Sequence, residues 1–281
     1  MDNCRVNGTA TRTIDLSDRG FQYGDGVFTT VRVQDGVPLF LGRHLDRLRH
    51  DGKRLAIPYV GSGVLLEDVR ALLADRQQAI LKIQMTRGMG GRGYRLPETV
   101  VPTRVVSLHP PAPYPAEYPD SGVEVRYCRT RLGINPALAG LKHMNRLEQI
   151  LARADWSAGP TVEGLMRDTE GYLVEGTMTN VFLVREGCLL TPFLDRCGVR
   201  GIMRSIIMGG AAELGITVSE ERVSPADAEA ADELFLTNSI IGLWPVRSLE
   251  HRHYSVGPVA LELAEWLKKT TRNAINAWSA G

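Results

Sequence analysis

The spacing of hydrophobic and polar positions changes several times along the chain, and each change marks an element. "VFTTVRVQDGVPLFL" (27–41) holds two strand-like runs around Asp35-Gly36, a dipeptide suited to a two-residue hairpin turn, and predicts an antiparallel pair. In "GRHLDRLRHDGKRLAI" (42–57), Leu45, Leu48 and Leu55 recur at helical spacing among charges, and "VLLEDVRALLADR" (64–76) repeats that pattern. "AILKIQMTRG" (79–88) is a strand with Lys82, Gln84 and Thr86 on one face. "GVEVRYCRTRL" (122–132) is strand-like, and Leu147, Ile150, Leu151 and Ala154 predict a helix that begins at Met144, just after Lys142. "GYLVEGTMTNVFLVREGCLLTP" (171–192) gives successive strands with Glu186-Gly187 as a tight turn, and "GVRGIMRSIIMGGAAELG" (198–215) a helix entered through glycines. "DELFLTNSIIGLWPV" (232–246) is strand, polar corner, strand, and "ALELAEWLKKTTRNAI" (260–275) a closing amphipathic helix.

One composition shift interrupts this series. "HPPAPYPAEYPD" (109–120) carries five of the 15 prolines, which excludes a helix or a central strand and reads as a stiff connector. The expected architecture is therefore α+β in two unequal domains: a smaller α/β domain over 1–112, a linker over 113–120, and a larger domain of strands and helices over 121–281 that carries Lys142. A net charge of +1 leaves no footprint for nucleic acid, and no apolar run approaches the roughly 20 residues of a membrane span. The polar, mixed start of the chain has no leader character, so a cytoplasmic protein is expected. Cys4, Cys128, Cys188 and Cys197 form no CxxC pair, and His251 and His253 lack a third partner, so no metal is expected.

The chemistry centres on lysine, which is scarce: Lys53, Lys82, Lys142, Lys268 and Lys269 are the only five among 33 basic residues. Lys53, Lys268 and Lys269 sit on charged helix faces, and Lys82 on the polar face of a strand. Lys142 alone stands at an element boundary beside small residues, where an amine is either a snorkelling surface group or a nucleophile. Glu175 lies between two apolar strand runs and is either a strand-end residue in solvent or a buried carboxylate with a partner. "GVRGIMR" offers helix N-terminal N–H groups for an anion, or an ordinary capped helix, and Ser239 offers a hydroxyl at a strand corner. "RGMGGRGYR" (87–95) sets three arginines in a nearly side-chain-free loop, suited to carboxylate recognition or simply solvated.

These stretches, with "DRGFQYGDGVFTTVRV", "HLDRL", "INPALAGLKHMNRLEQILAR" and "VEGTMTNVFLV", have the order and spacing of the fold-type IV pyridoxal-phosphate enzymes, and the chain resembles that family from about residue 13 to residue 247. The family includes branched-chain and D-amino acid aminotransferases and aminodeoxychorismate lyase, and "GDGVFTTVRV", "RGMGGRGY" and "NPALAGLKHMNRLEQ" look most like the lyase branch. The resemblance implies pyridoxal 5'-phosphate held covalently by Lys142, which would also shuttle the proton. It implies that Glu175 serves the pyridine nitrogen, while Arg47, the Ile202 and Met203 N–H groups and Ser239 hold the phosphate. It places Arg92, Tyr94 and Arg87 at the substrate carboxylate, and Phe28 and Thr29 at the pocket. Two departures stand out. Thr29 replaces the acidic residue usual in the aminotransferases, and Met203 replaces a threonine, leaving only its backbone to bind phosphate. The implied reaction splits 4-amino-4-deoxychorismate into 4-aminobenzoate and pyruvate, in a homodimer, with a small molecule as substrate and neither nucleic acid nor membrane as partner; the alternatives are a D-amino acid or branched-chain aminotransferase on the same fold and, more remotely, a non-enzymatic small-molecule binding protein.

Overall fold

A computed structural model describes residues 3–74, 76–156 and 159–279. The chain divides into two compact units: Met1–Ala112 with Lys142–Asn145 and Arg272–Gly281, and Pro113–Leu141 with Arg146–Thr271. The short segment Lys142–Asn145 thus groups with the first unit, whereas the sequence places the lysine inside the second domain.

Among the described residues, the first unit carries β1 (Cys4–Val6), β2 (Thr9–Ala10), α1 (Arg19–Tyr23), β3 (Gly26–Gln34), β4 (Val37–Pro38), α2 (Leu41–Arg54), α3 (Ser62–Leu73), β5 (Gln78–Thr86) and β6 (Thr103–His109). The strands form one antiparallel sheet in the order β2-β1-β6-β5-β3-β4. Asp35 (φ 52°) and Gly36 (φ 76°) make the expected hairpin turn, both left-handed as a type I′ turn requires. On one face of the sheet, Val27, Val31, Leu81 and Ile83 pack with Leu45 and Leu48 of α2 and Leu65 and Val69 of α3 to form the core. Strand alternation therefore sends the even-numbered residues of β3 and β5 to the other face, with Phe28 paired to Gln84 and Thr30 to Lys82. Leu55 ends α2 as its C-cap instead of continuing it.

The second unit carries α4 (Tyr118–Ser121), β7 (Val123–Leu132), α5 (Leu147–Arg153), β8 (Thr161–Asp168), β9 (Leu173–Gly176), β10 (Asn180–Arg185), β11 (Cys188–Pro192), α6 (Ile202–Glu213), β12 (Val218–Glu221), α7 (Pro225–Ala230), β13 (Glu233–Asn238), β14 (Gly242–Leu249), β15 (Arg252–His253) and most of α8 (Pro258–Ser279). The order is β12-β11-β10-β13-β14-β7-β8-β9, with β15 on β14; the β11/β12, β14/β7 and β7/β8 pairs are parallel. Glu186 and Gly187 form the expected tight turn between β10 and β11.

Two expectations differ from the structure. The proline-rich connector ends in a single helical turn, α4, where Pro119 sits in the first turn and needs no N–H partner. The helix expected at Met144 begins at Leu147, because the backbone of residues 142–144 is bonded to β3. Its apolar stripe is also not core: Leu147, Ile150 and Leu151 are 72%, 61% and 60% exposed. No helix among the described residues is long and apolar enough to cross a membrane.

Candidate active site

In the first unit, Lys142 sits on an added rung of the sheet rather than at a helix entry. Its carbonyl accepts Phe28 N (3.0 Å), Met144 N donates to Gly26 O (2.9 Å), and Val27 bridges His143. Its own N–H donates to Asp51 Oδ2 (3.0 Å). The half-buried ammonium stands 4.6 Å from the centre of the Phe28 ring, and Lys82 Nζ lies 5.2 Å from the same ring. Partial burial lowers the Lys82 pKa. Phe28, Thr30 and Lys82 thus share the sheet face that carries the Lys142 amine.

Thr29 points the other way. It is wholly buried, 2.6 Å from His44 Nδ1, and accepts a hydrogen bond from Arg47. This corrects its assignment to the substrate: strand alternation gives that face to Phe28 and Thr30 and leaves Thr29 beneath Arg47. His44 is buried too, and desolvation, aided by the charges of Arg47 and Lys142, holds its pKa well below the usual value. Desolvation also brings the Arg47 guanidinium down to about 10, opposed by the charge of Asp51. Asp51, in turn, is raised by burial against the Lys142 N–H bond and the charge of Arg47. The Nε of Arg47 is buried without a hydrogen-bond partner among the described residues. A desolvated cation with an unused donor is a ready seat for an anion.

The arginine loop divides in the same way. Arg87 is buried: Nε and one terminal nitrogen bind both oxygens of Asp25 (2.8 and 3.0 Å), and the terminal nitrogens also donate to Ala56 O and Leu55 O (2.8 Å each). Its donors are committed to Asp25, Leu55 and Ala56, which makes Arg87 part of the protein's own framework. Arg19, which the sequence did not single out, shares Asp25 and donates to the carbonyls of Gly90, Gly93 and Arg95, fixing the loop from inside. The loop can run this close only without side chains: a Cβ on Gly88 would lie 1.9 Å from Val101 O. Arg92 and Tyr94 remain outside, Tyr94 at 87% exposure and edge-on to Tyr23 at 5.6 Å.

In the second unit, Glu175 is buried at the end of β9, its Oε2 accepting Val199 N (2.8 Å), with Gln149 Nε2 3.5 Å from Oε1. Asn180 Nδ2 donates to Val199 O (2.9 Å), so the two side chains grip both sides of one residue. Two residues on, Gly201 is the N-cap of α6 and no side chain among the described residues caps it, so the first N–H groups of the helix, at the buried Ile202 and Met203, have no partner within the helix. Arg204 is used structurally, on Thr191, Pro192 O and Glu220. Ser239 is half-buried at the β13–β14 corner, which Asn238 fixes by accepting Ile240 N and Ile241 N (2.8 and 2.9 Å) and donating to Met178 O. Thr237, fully buried and opposite Asn180, has a hydroxyl without a hydrogen-bond partner among the described residues. Val199, Asn180 and Thr237 were not legible as site residues, since each reads as an ordinary strand or loop position. Taken separately, the first unit holds a half-buried amine and a desolvated guanidinium, and the second a buried carboxylate and a helix start without a side-chain cap.

The chain matches one protein family over most of its length. The profile of the family described as amino-transferase class IV matches residues 26–249. The chain is 34% identical to aminodeoxychorismate lyase of Vibrio harveyi, over 87% of this chain and 90% of that protein. It is 32% identical to a putative branched-chain-amino-acid aminotransferase of Methanocaldococcus jannaschii, over 91% and 90%. The crystal structure of 4-amino-4-deoxychorismate lyase from Pseudomonas aeruginosa superposes with a TM-score of 0.91 at 42% identity, covering 95% of this chain and 98% of that one.

Proposed function

Because the chain belongs to the amino-transferase class IV family, a family of pyridoxal-phosphate enzymes, we propose that it is a lyase converting 4-amino-4-deoxychorismate to 4-aminobenzoate and pyruvate. The observation that carries this is the likeness, over nearly the whole chain, to lyases of that name, joined to a lysine amine set against Phe28.

Bound to the protein, pyridoxal phosphate supplies a sink for the electrons left when ring carbon C4 loses its proton. Lys142 Nζ would hold the group and, once the substrate's ring amine has displaced it, would be free to accept that proton, and its backbone is held by Phe28 and Asp51 so that the amine stays by the ring. Glu175, anchored through Oε2 to Val199 N, keeps the pyridine nitrogen protonated. Arg47, the N–H groups of Ile202 and Met203 and the Ser239 hydroxyl take the phosphate. The substrate brings two carboxylates. Arg92, Tyr94 and the desolvated Lys82 provide the cations and the donor for them, with Thr30 rather than Thr29 on the Phe28 face. Enolpyruvate would leave from C3 with the C–O bonding pair as the ring becomes aromatic, and on taking up a proton it ketonises to pyruvate.

The test is to supply 4-amino-4-deoxychorismate to the purified protein and follow both products. Equal amounts of 4-aminobenzoate and pyruvate are expected. Neither product, from protein that still holds pyridoxal phosphate, would replace this reading with a branched-chain or D-amino acid aminotransferase, which the archaeal relative favours. The enzyme is proposed to act as a homodimer, for which the exposed Leu147, Ile150 and Leu151 supply an apolar face. A monomer in sedimentation velocity at micromolar concentration would refute that.

A further inference from the structure

Glu163 on β8 is a buried carboxylate that no step above uses. It is 0% exposed, and its oxygens collect donors from three consecutive residues of the turn between β9 and β10. Oε1 accepts Thr177 Oγ1 (2.5 Å) and Thr177 N (3.2 Å), while Oε2 accepts Met178 N (3.1 Å) and Thr179 Oγ1 (3.1 Å). Gly164 N adds a fifth donor to Oε1 at 2.8 Å. Gly176 makes room for this: a Cβ there would lie 2.2 Å from Thr179 Oγ1 and 3.0 Å from Glu163 Oε2. A carboxylate so deep is tolerated only when its lone pairs are met, so the turn is shaped around it.

That turn joins Glu175 to Asn180, the two side chains that grip Val199 by its N–H and its carbonyl. Val199 leads forward to Gly201 and the first turn of α6. Its neighbours also tie to Gly140, through Gly140 N to Gly198 O (2.9 Å) and Arg200 N to Gly140 O (3.1 Å), two residues before Lys142. From these contacts we infer that Glu163 is a positioning residue for the cofactor: by pinning residues 177–179 it sets the Glu175 carboxylate and the N–H groups that open α6. The inference rests on the pyridoxal-phosphate reading above. Glu233 supplies the contrast. It is also buried and accepts Val259 N and Ala260 N (3.0 and 2.8 Å) at the start of α8, at the other end of β13 from Asn238 and away from the residues that bond Glu163.

The experiment compares wild type, Glu163→Gln, Thr179→Val and Glu233→Gln. Pyridoxal-phosphate affinity is read by equilibrium dialysis, the bound cofactor by its absorbance band, and the apo-protein by its melting temperature. Glutamine keeps one acceptor but turns the other lobe into an N–H that meets the donors of the turn. Glu163→Gln is expected to weaken cofactor binding about tenfold, the scale of a lost hydrogen bond to a buried charge, and to move the band. Thr179→Val, which removes one donor of five, should do the same more mildly, and it carries the test if Glu163→Gln does not fold. Glu233→Gln should lower the melting temperature and leave affinity and band as in wild type. Wild-type affinity and band in both turn variants would overturn the inference, as would an equal loss in Glu233→Gln. Wild-type protein that takes up no pyridoxal phosphate would overturn the underlying reading instead.

Discussion

Thr29 and Thr30 are adjacent and chemically identical, yet the structure gives them opposite jobs, and replacing each with valine separates them. Thr29→Val keeps the shape of a wholly buried side chain but removes the hydroxyl that joins His44 Nδ1 to Arg47. His44 is itself 1% exposed, so its ring nitrogen is left unpaired without water to replace the bond. An unsatisfied buried polar group costs about 1–3 kcal/mol, which for a chain of this size corresponds to a fall of roughly 5 °C in melting temperature. Arg47 also loses its fixed acceptor, so cofactor affinity should fall by about tenfold for each 1.4 kcal/mol of orientation lost. Thr30→Val lies on the face of Phe28 and Lys82. It should leave melting temperature and cofactor affinity unchanged and act only on kcat/KM. Thermal unfolding of the apo-proteins, cofactor titration and steady-state kinetics read the three quantities. A Thr29→Val protein with wild-type stability and cofactor affinity but a raised KM would refute the reasoning and return Thr29 to the substrate.

Other perturbations follow the same geometry. Arg87→Ala should cost about 3–5 kcal/mol, because it leaves the half-buried Asp25 with one arginine and frees two carbonyls, whereas Arg92→Ala should raise KM with stability unchanged; denaturant unfolding of both variants checks this. Glu175→Gln can still accept Val199 N and should keep the cofactor while losing about 100-fold or more in rate; full activity would remove Glu175 from its role. The depressed pKa of His44 gives a pH test. Below the unfolded value of about 6.5 the unfolded chain binds a proton that the folded protein refuses, so this contribution to stability is complete above that pH and is lost as the pH falls. His44→Asn should therefore unfold with a flatter pH dependence between about pH 6.5 and 5 than wild type, and an identical slope would show that His44 is not buried neutral.

Much of the element series was legible because hydrophobic period reports which face is buried. The hairpin at Asp35-Gly36, the tight turn at Glu186-Gly187 and helices α2, α3 and α6 follow from it. Period fails where burial is not by the chain's own core. Leu147, Ile150 and Leu151 have helical spacing, but the stripe is exposed, so it marks an apolar face and not a packed one. It also misplaced the start of α5, because residues 142–144 pair with β3 through backbone bonds that leave no side-chain signature.

The site residues divide along the same line. Lys142 and Glu175 stand out as candidates by residue type and setting, and only the family resemblance gives them roles, but what a polar side chain faces depends on parity and on distant partners. The sequence assigned Thr29 to the pocket although alternation along β3 argues against it, since Val27, Val31 and Val33 mark the core face and Thr29 shares their parity. Arg87 could not be recognised as structural, because Asp25 and the carbonyls of Leu55 and Ala56 lie 62, 32 and 31 residues away. The substitution of threonine for an acidic residue at position 29 then takes on a physical meaning. A carboxylate there would pair with Arg47, whereas a hydroxyl orients the guanidinium without neutralising it. The buried cation keeps its charge for a bound phosphate.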